Sequence, residues 1–92
     1  MLKKYKIFFK RSNGEYVDLG FFEKEKCLSV INKFLEERNF KSYYVRIIKK
    51  EEGIEWLDVG SHTEFFYLVI DEKVNKFLRE KGITKCQIMD VE

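Results

Sequence analysis

Between Trp56 and Phe66 the chain reads WLDVGSHTEFF. That stretch gathers two carboxylates, Asp58 and Glu64, a hydroxyl, Ser61, the only histidine, His62, and the only tryptophan, Trp56. Three chemistries can be asked of such a set. Ser61 beside His62 is no nucleophile and base pair, because successive side chains of an extended segment point to opposite faces. A hydrolase also needs a framed nucleophile and an oxyanion hole, and the glycine-framed elbow is missing. Asp58, His62 and Glu64 could meet around a metal ion if the loop bent. Their spacing is not diagnostic, and a nuclease built on them would also want a lysine, for which Lys49 and Lys50 are the nearest candidates. What remains is recognition, in which Trp56, Asp58, Ser61, His62 and Glu64 contact a partner at the end of a strand, where binding groups most often sit. The plainer reading is construction: Gly60 permits a bend, and Phe65 and Phe66 anchor the next element in the core.

A second set lies on the preceding strand. Tyr43, Tyr44, Arg46, Lys49 and Lys50 interleave aromatic and cationic groups, a pattern that can stack bases and neutralise phosphates. Glu51, Glu52 and Glu55 interrupt any continuous basic surface. The overall balance is 18 Lys plus Arg against 16 Asp plus Glu, a net charge of +2 that does not by itself impose nucleic-acid binding. No cofactor is expected, because the glycines are isolated turn formers rather than a phosphate-cradling loop. Cys27 and Cys86 lack the paired spacing of a zinc site and read as reduced thiols.

The elements that position these groups follow from periodicity. KYKIFFKR and EYVDLGF flank Ser12-Asn13-Gly14, a hairpin in which a three-residue loop sets Phe9 opposite Val17, Ile7 opposite Leu19 and Tyr5 opposite Phe21. YYVRIIK and IEWLDV form a second hairpin through Glu51-Glu52-Gly53. A loop of the same length there pairs Arg46 with Asp58, Ile47 with Leu57, Ile48 with Trp56 and Lys49 with Glu55. Helical spacing of Cys27, Val30, Ile31, Phe34 and Leu35 predicts a helix from about Glu23 to Arg38. Its remaining face, with Lys24, Lys26 and Lys33 answered by Glu25, Glu36 and Glu37, reads as solvated.

FFYLVI, at 65–70, favours a fully buried strand over the start of a long helix from Glu64 to Lys81. A second helix from about Glu72 to Lys81 is expected, with Asp71 as N-cap, a stripe of Val74, Phe77 and Leu78, and Gly82 to stop it. CQIMDV reads as a short final strand. The fold expected is one α+β domain over residues 1–92, a mostly antiparallel sheet covered by two helices, in the order β-β-α-β-β-β-α-β. EYVDLG recurs as EWLDVG and NKFLEE as NKFLRE, which points to a ββα duplication. No leader or membrane span is visible, since the longest apolar run falls far short of the ~20 residues a span needs. A cytoplasmic protein with no membrane partner is therefore expected. Either the first strand or the CQIMDV tail could pair between two copies as a homodimer.

The proline-free, Lys/Glu/Ile/Asn/Phe-rich composition together with WLDVGSHTEFF resembles small accessory proteins carried by phages and prophages of AT-rich Gram-positive bacteria. The resemblance implies a non-enzymatic inhibitor in the host cytoplasm, binding a host defence protein in the manner of anti-CRISPR proteins. It departs from DNA mimics, which are strongly acidic. A small nucleic-acid-binding module or regulator is the alternative. A sponge that sequesters a signalling nucleotide in a pocket of aromatics and cations is the second alternative.

Overall fold

The computed structural model describes residues 4–37, 46–59, 63–84 and 86–88, with the backbone alone for 46–50. β1 (Lys4–Lys10) and β2 (Tyr16–Glu23) form the first hairpin, and α1 (Lys24–Glu37) follows at once. β3 (Arg46–Glu51) and β4 (Ile54–Asp58) form the second. β5 (Phe65–Ile70), a 3-10 turn at Asp71–Lys73, α2 (Val74–Glu80) and β6 (Gln87–Ile88) complete the order, which is the one expected. All six strands join one sheet, β3-β4-β5-β1-β2-β6. Every pairing is antiparallel except that of β6, which lies parallel to β2 at Val17 and Asp18.

β5 settles the choice between strand and helix at FFYLVI. It pairs along its whole length with β1 on one side and from Phe65 to Val69 with β4 on the other, and every residue but Phe65 is buried. β1 lies in the interior of the sheet, so it offers no open edge for a second copy; of the two strands considered for that role, only the tail strand β6 is at an edge. Alternation along the strands divides the apolar side chains between two faces. Ile7, Phe9, Val17, Leu19, Leu57, Phe66 and Leu68 pack against Cys27, Ile31, Phe34 and Leu35 of α1. Phe8, Tyr67 and Val69 pack against Val74 and Phe77 of α2 on the opposite face.

Both hairpins depart from the expected register through bulges. Phe9 does face Val17, but Leu19 and Gly20 together oppose Ile7, so Tyr5 pairs with Phe22 rather than Phe21. Gly20 takes φ +99°, and its N–H is held by Asp18 Oδ1 at 2.8 Å. The bulge turns Phe22 toward the α1 core and leaves Phe21 exposed beneath the Lys6 ammonium, 4.6 Å from the ring centroid. In the second hairpin the loop is Glu52-Gly53 alone, one residue shorter than expected, with Glu51 opposite Ile54. Gly53 has φ +79°, and a Cβ there would come within 2.6 Å of Ile70 Cγ2, while its carbonyl accepts the Ile70 N–H at 2.7 Å. The chain thus passes too close to β5 for any side chain. The residue removed from the turn reappears as a bulge at Ile48. Lys49 then pairs with Trp56 and Lys50 with Glu55, while Arg46–Asp58 and Ile47–Leu57 stand as expected.

Two further expectations are corrected. Asp71 does not cap α2: Ile70 precedes the 3-10 turn, and neither helical segment has a side-chain cap, the continuous backbone from β5 leading straight into the turn. Lys73 instead ties this corner to the second hairpin by donating to the Glu52 carbonyl. The helix does stop at Gly82, where Ile83 N–H bonds back to Leu78 O at 2.9 Å. Lys24 belongs to the solvated face only in part: its side chain is 41% exposed, but its ammonium has a buried partner. Glu55 points into the α1 layer, 4% exposed, and Lys24 pairs with it while lying 4.8 Å from the Tyr5 ring centroid. The repeated letters occupy like positions, since Val17 and Leu19 share a face with Leu57 and Val59. The helices that follow lie on opposite faces, because α1 leaves β2 directly whereas α2 leaves the additional strand β5.

Phe66 is fully buried and Phe65 only partly so, on opposite faces of β5. Phe66→Ala is expected to cost about 3–5 kcal/mol, and Phe65→Ala distinctly less, in denaturant unfolding. Lys24→Ala leaves the Glu55 carboxylate buried without its cation and is expected to cost about 1–3 kcal/mol. Adding Glu55→Gln should recover part of that loss, which a double-mutant cycle would read as coupling.

Candidate functional site

α1 has 14 residues and α2 has seven. At ~1.5 Å per residue, α2 is only about 10 Å long, whereas six strands at ~4.8 Å spacing span more than 20 Å. Among the described residues α2 therefore covers the middle of the second face and leaves the flank toward β4 beyond its reach. Aromatic side chains line that flank. Trp56 and Tyr67 are register partners on β4 and β5, and their rings lie parallel within 4° at a centroid separation of 6.0 Å. Phe65 meets the indole edge-on at 5.4 Å. Phe77 descends from α2 onto Tyr67 at 5.2 Å and stacks on Phe8 at 5.0 Å. Such contacts add roughly 0.5–1.5 kcal/mol per pair beyond burial and fix the rings in place.

Trp56 is locked on one side and partly exposed on the other, and its buried Nε1–H has no hydrogen-bond partner among the described residues. Next to it a groove of ≈ 150 Å³ opens between the second hairpin and α2, with Trp56, Tyr67 and Phe77 as its walls and Glu51, Glu80 and Lys81 at its rim. The Lys81 ammonium lies 5.2 Å from the Tyr67 ring centroid. On the other side of Lys81 a wider depression of ≈ 500 Å³ lies between Gly14–Tyr16 and the turn Gly82–Thr84.

The phenols of Tyr67 and Tyr16 are hydrogen bonded beneath Lys81. Burial first, and then neighbouring Tyr16, to which Tyr67 donates, together push the Tyr67 phenol up to about 12. Tyr16 is also raised by burial, with the bond from Tyr67 acting in the opposite sense and Cys86 adding to the rise. Burial likewise pushes the Cys27 thiol up to about 11, and its Sγ donates to the Glu23 carbonyl at 3.4 Å. A thiol held protonated in this way is a packing group, not a nucleophile.

Of the residues picked from the sequence, Trp56 and Asp58 share a strand and, by alternation, a face. Asp58 is buried at the end of β4, in register with Arg46 on one side and Phe65 on the other. Glu64 is partly exposed just before β5. Ser61, His62 and Tyr44 lie outside the described residues, as does the Arg46 side chain, so the metal set Asp58, His62 and Glu64 is not tested. Among the described residues no three His, Cys, Asp or Glu side chains are grouped to hold a metal ion, and no helix is long and apolar enough to cross a membrane. Tyr67, Phe77 and Lys81 were missed by motif reading because they meet Trp56 only through the β4–β5 pairing and the return of α2. The one signal was Tyr67 itself, a hydroxyl in the middle of an otherwise apolar buried run.

Compared with known proteins, the chain matches no family model, no curated protein and no solved structure.

The raised Tyr67 phenol makes stability depend on alkaline pH. The folded chain keeps that proton to about 12, whereas the unfolded chain releases it near the usual ~10. The contribution is thus fully present below the unfolded value and lost as pH rises toward the folded one. A spectrophotometric titration should show a late-ionising phenol that is missing in Tyr67→Phe, and the fall in stability across that window should be shallower in the variant.

Proposed function

We propose that this is a non-enzymatic binding protein that acts by protein–protein contact, with the Trp56 flank as its anchor and Ser61, His62 and Glu64 as the adjoining polar contacts, buried Asp58 supporting them from the end of β4. Together with the resemblance to phage accessory proteins, the reading is a phage-type inhibitor of a host defence factor, working in the bacterial cytoplasm. The observation that carries it is the state of Trp56: partly exposed, stacked on Tyr67 and braced by Phe65. Interface energy concentrates in such aromatic anchors, and a ring already immobilised loses little entropy on binding. The mixed rim of Glu51, Glu80 and Lys81 suits a charged protein surface better than a phosphate backbone.

The nucleotide-sponge alternative is weakened at the Trp56 groove, since ≈ 150 Å³ is below the roughly 300–1,000 Å³ of small-molecule pockets, and the wider depression of ≈ 500 Å³ beyond Lys81 has Tyr16 as the one aromatic residue of its lining. The nucleic-acid alternative rests on Tyr44 and Arg46 and keeps a separate assay.

An alanine scan of residues 56–66, read by melting temperature and by capture from lysates of AT-rich Gram-positive bacteria, tests the reading. Trp56→Ala should stay folded and lose a stoichiometric protein partner by at least about tenfold, while Phe66→Ala should lose both signals. Recovery of nucleic acid alone, with salt-dependent gel shifts, would replace this reading by the second one.

A further inference from the structure

We propose that the groove between Trp56 and α2 receives a single arginine side chain of the protein partner, an assignment that rests on the protein-binding reading above. Three observations point to it. The walls are aromatic but for Ile54, from Trp56, Tyr67 and Phe77, and cations bind over aromatic faces. The chain itself already places a cation there, since Lys81 sits over the Tyr67 ring at 5.2 Å. The rim carries two carboxylates, Glu51 and Glu80, from opposite sides of the opening. Both carboxylates are already engaged, Glu80 with Lys76 one helical turn away at 3.7 Å in a pair more than half exposed on both sides, so the guanidinium would exchange for existing contacts rather than meet free charges.

Size and shape narrow the ligand further. A groove of ≈ 150 Å³ takes one side chain rather than a nucleotide. A guanidinium presents a flat face to an aromatic ring and a fork of donors to carboxylates, two things an ammonium cannot do at once. Lys81 then acts as an internal competitor. It lies just beyond the last residue of α2, is exposed, and must swing away from Tyr67 for the incoming arginine to reach the ring. Its release toward solvent also removes a like charge from the rim.

The only tryptophan forms one wall, so its emission reports occupancy directly. The probe is a capped pentapeptide, Gly-Gly-Arg-Gly-Gly, titrated into the intact chain at low salt beside the same peptide carrying citrulline, which keeps the shape and removes the charge. The arginine peptide should give a saturable change in the millimolar range, and the citrulline peptide should give none. Lys81→Ala should tighten binding about threefold. The paired variant Glu51→Gln with Glu80→Gln should weaken it about fivefold or more; both positions are exposed, and an unchanged melting temperature checks that the fold is kept.

Equal binding of the citrulline peptide, no response of Trp56 to either peptide, or weaker binding in Lys81→Ala would each overturn the assignment. Partner capture separates this failure from failure of the wider reading. If Trp56→Ala loses the partner while the paired glutamine variant keeps it in full, the contact surface stands and the arginine assignment falls. If Trp56→Ala keeps the partner, the contact surface itself is wrong.

Discussion

The organisation of this protein depends on the pairing of β1 with β5. Ile7, Phe8 and Phe9 are consecutive and all buried, and so is the run from Phe66 to Ile70. Neighbouring residues of a strand point to opposite faces, so neither face of this central ribbon can be left to water. A helix is required on each side, and the two helices cannot share a face. An ordinary two-layer α+β sandwich, with one wet face to its sheet, is incompatible with these two strands. The flanking strands β2 and β4 are freed from that demand, and charge reappears there: Asp18 of β2 pairs at 2.8 Å with Lys6 of β1 beside the first hairpin's bulge, and Glu55 of β4 meets Lys24 at the start of α1.

The helices meet this demand unequally. α1 is long enough to seal its layer, with a single buried carboxylate drawn to the lysine at its first turn. α2 is half that length and seals only the centre. The exposed remainder is covered by ring-on-ring packing instead of backbone, and the candidate site arises there. A surface built of stacked aromatic rings keeps its shape without a covering element, and it leaves apolar area in reach of a partner.

Much of this architecture was legible in the sequence. The glycine-marked hairpins, the helical stripe from Cys27 to Leu35 and the apolar run at 65–70 each carry one dominant period, and the order of elements follows from them. The bulges were not legible. Shifting one residue at Leu19–Gly20 or at Ile48 leaves the composition of each strand unchanged, and the close approach of Gly53 to Ile70 that shortens the second turn is a contact between elements. The Glu55–Lys24 pair was hidden for the same reason: in an alternating strand Glu55 looks like one more solvent-facing acid. Trp56 and Asp58 were found by type, whereas Tyr67, Phe77 and Lys81 belong to the site only because of how the sheet is ordered. The parallel placement of β6 had no local signature at all, since two residues carry no period.

The placement of β1 between β2 and β5 has a consequence for the order of events during synthesis. β2 and α1 follow β1 directly in the chain, so the first hairpin and its helix can assemble early and cover Ile7 and Phe9. The other side of β1 has to wait for β5, whose pairing joins Tyr5 to Ile70 across most of the chain. Closure of so long a loop is entropically costly and comes late. During that interval β1 is an unpaired edge with Phe8 uncovered, the kind of surface that recruits a strand from another molecule. The strand at the centre of the finished sheet is thus the nascent chain's most adhesive border, and a ribosome that stalls before Ile70 emerges leaves it open.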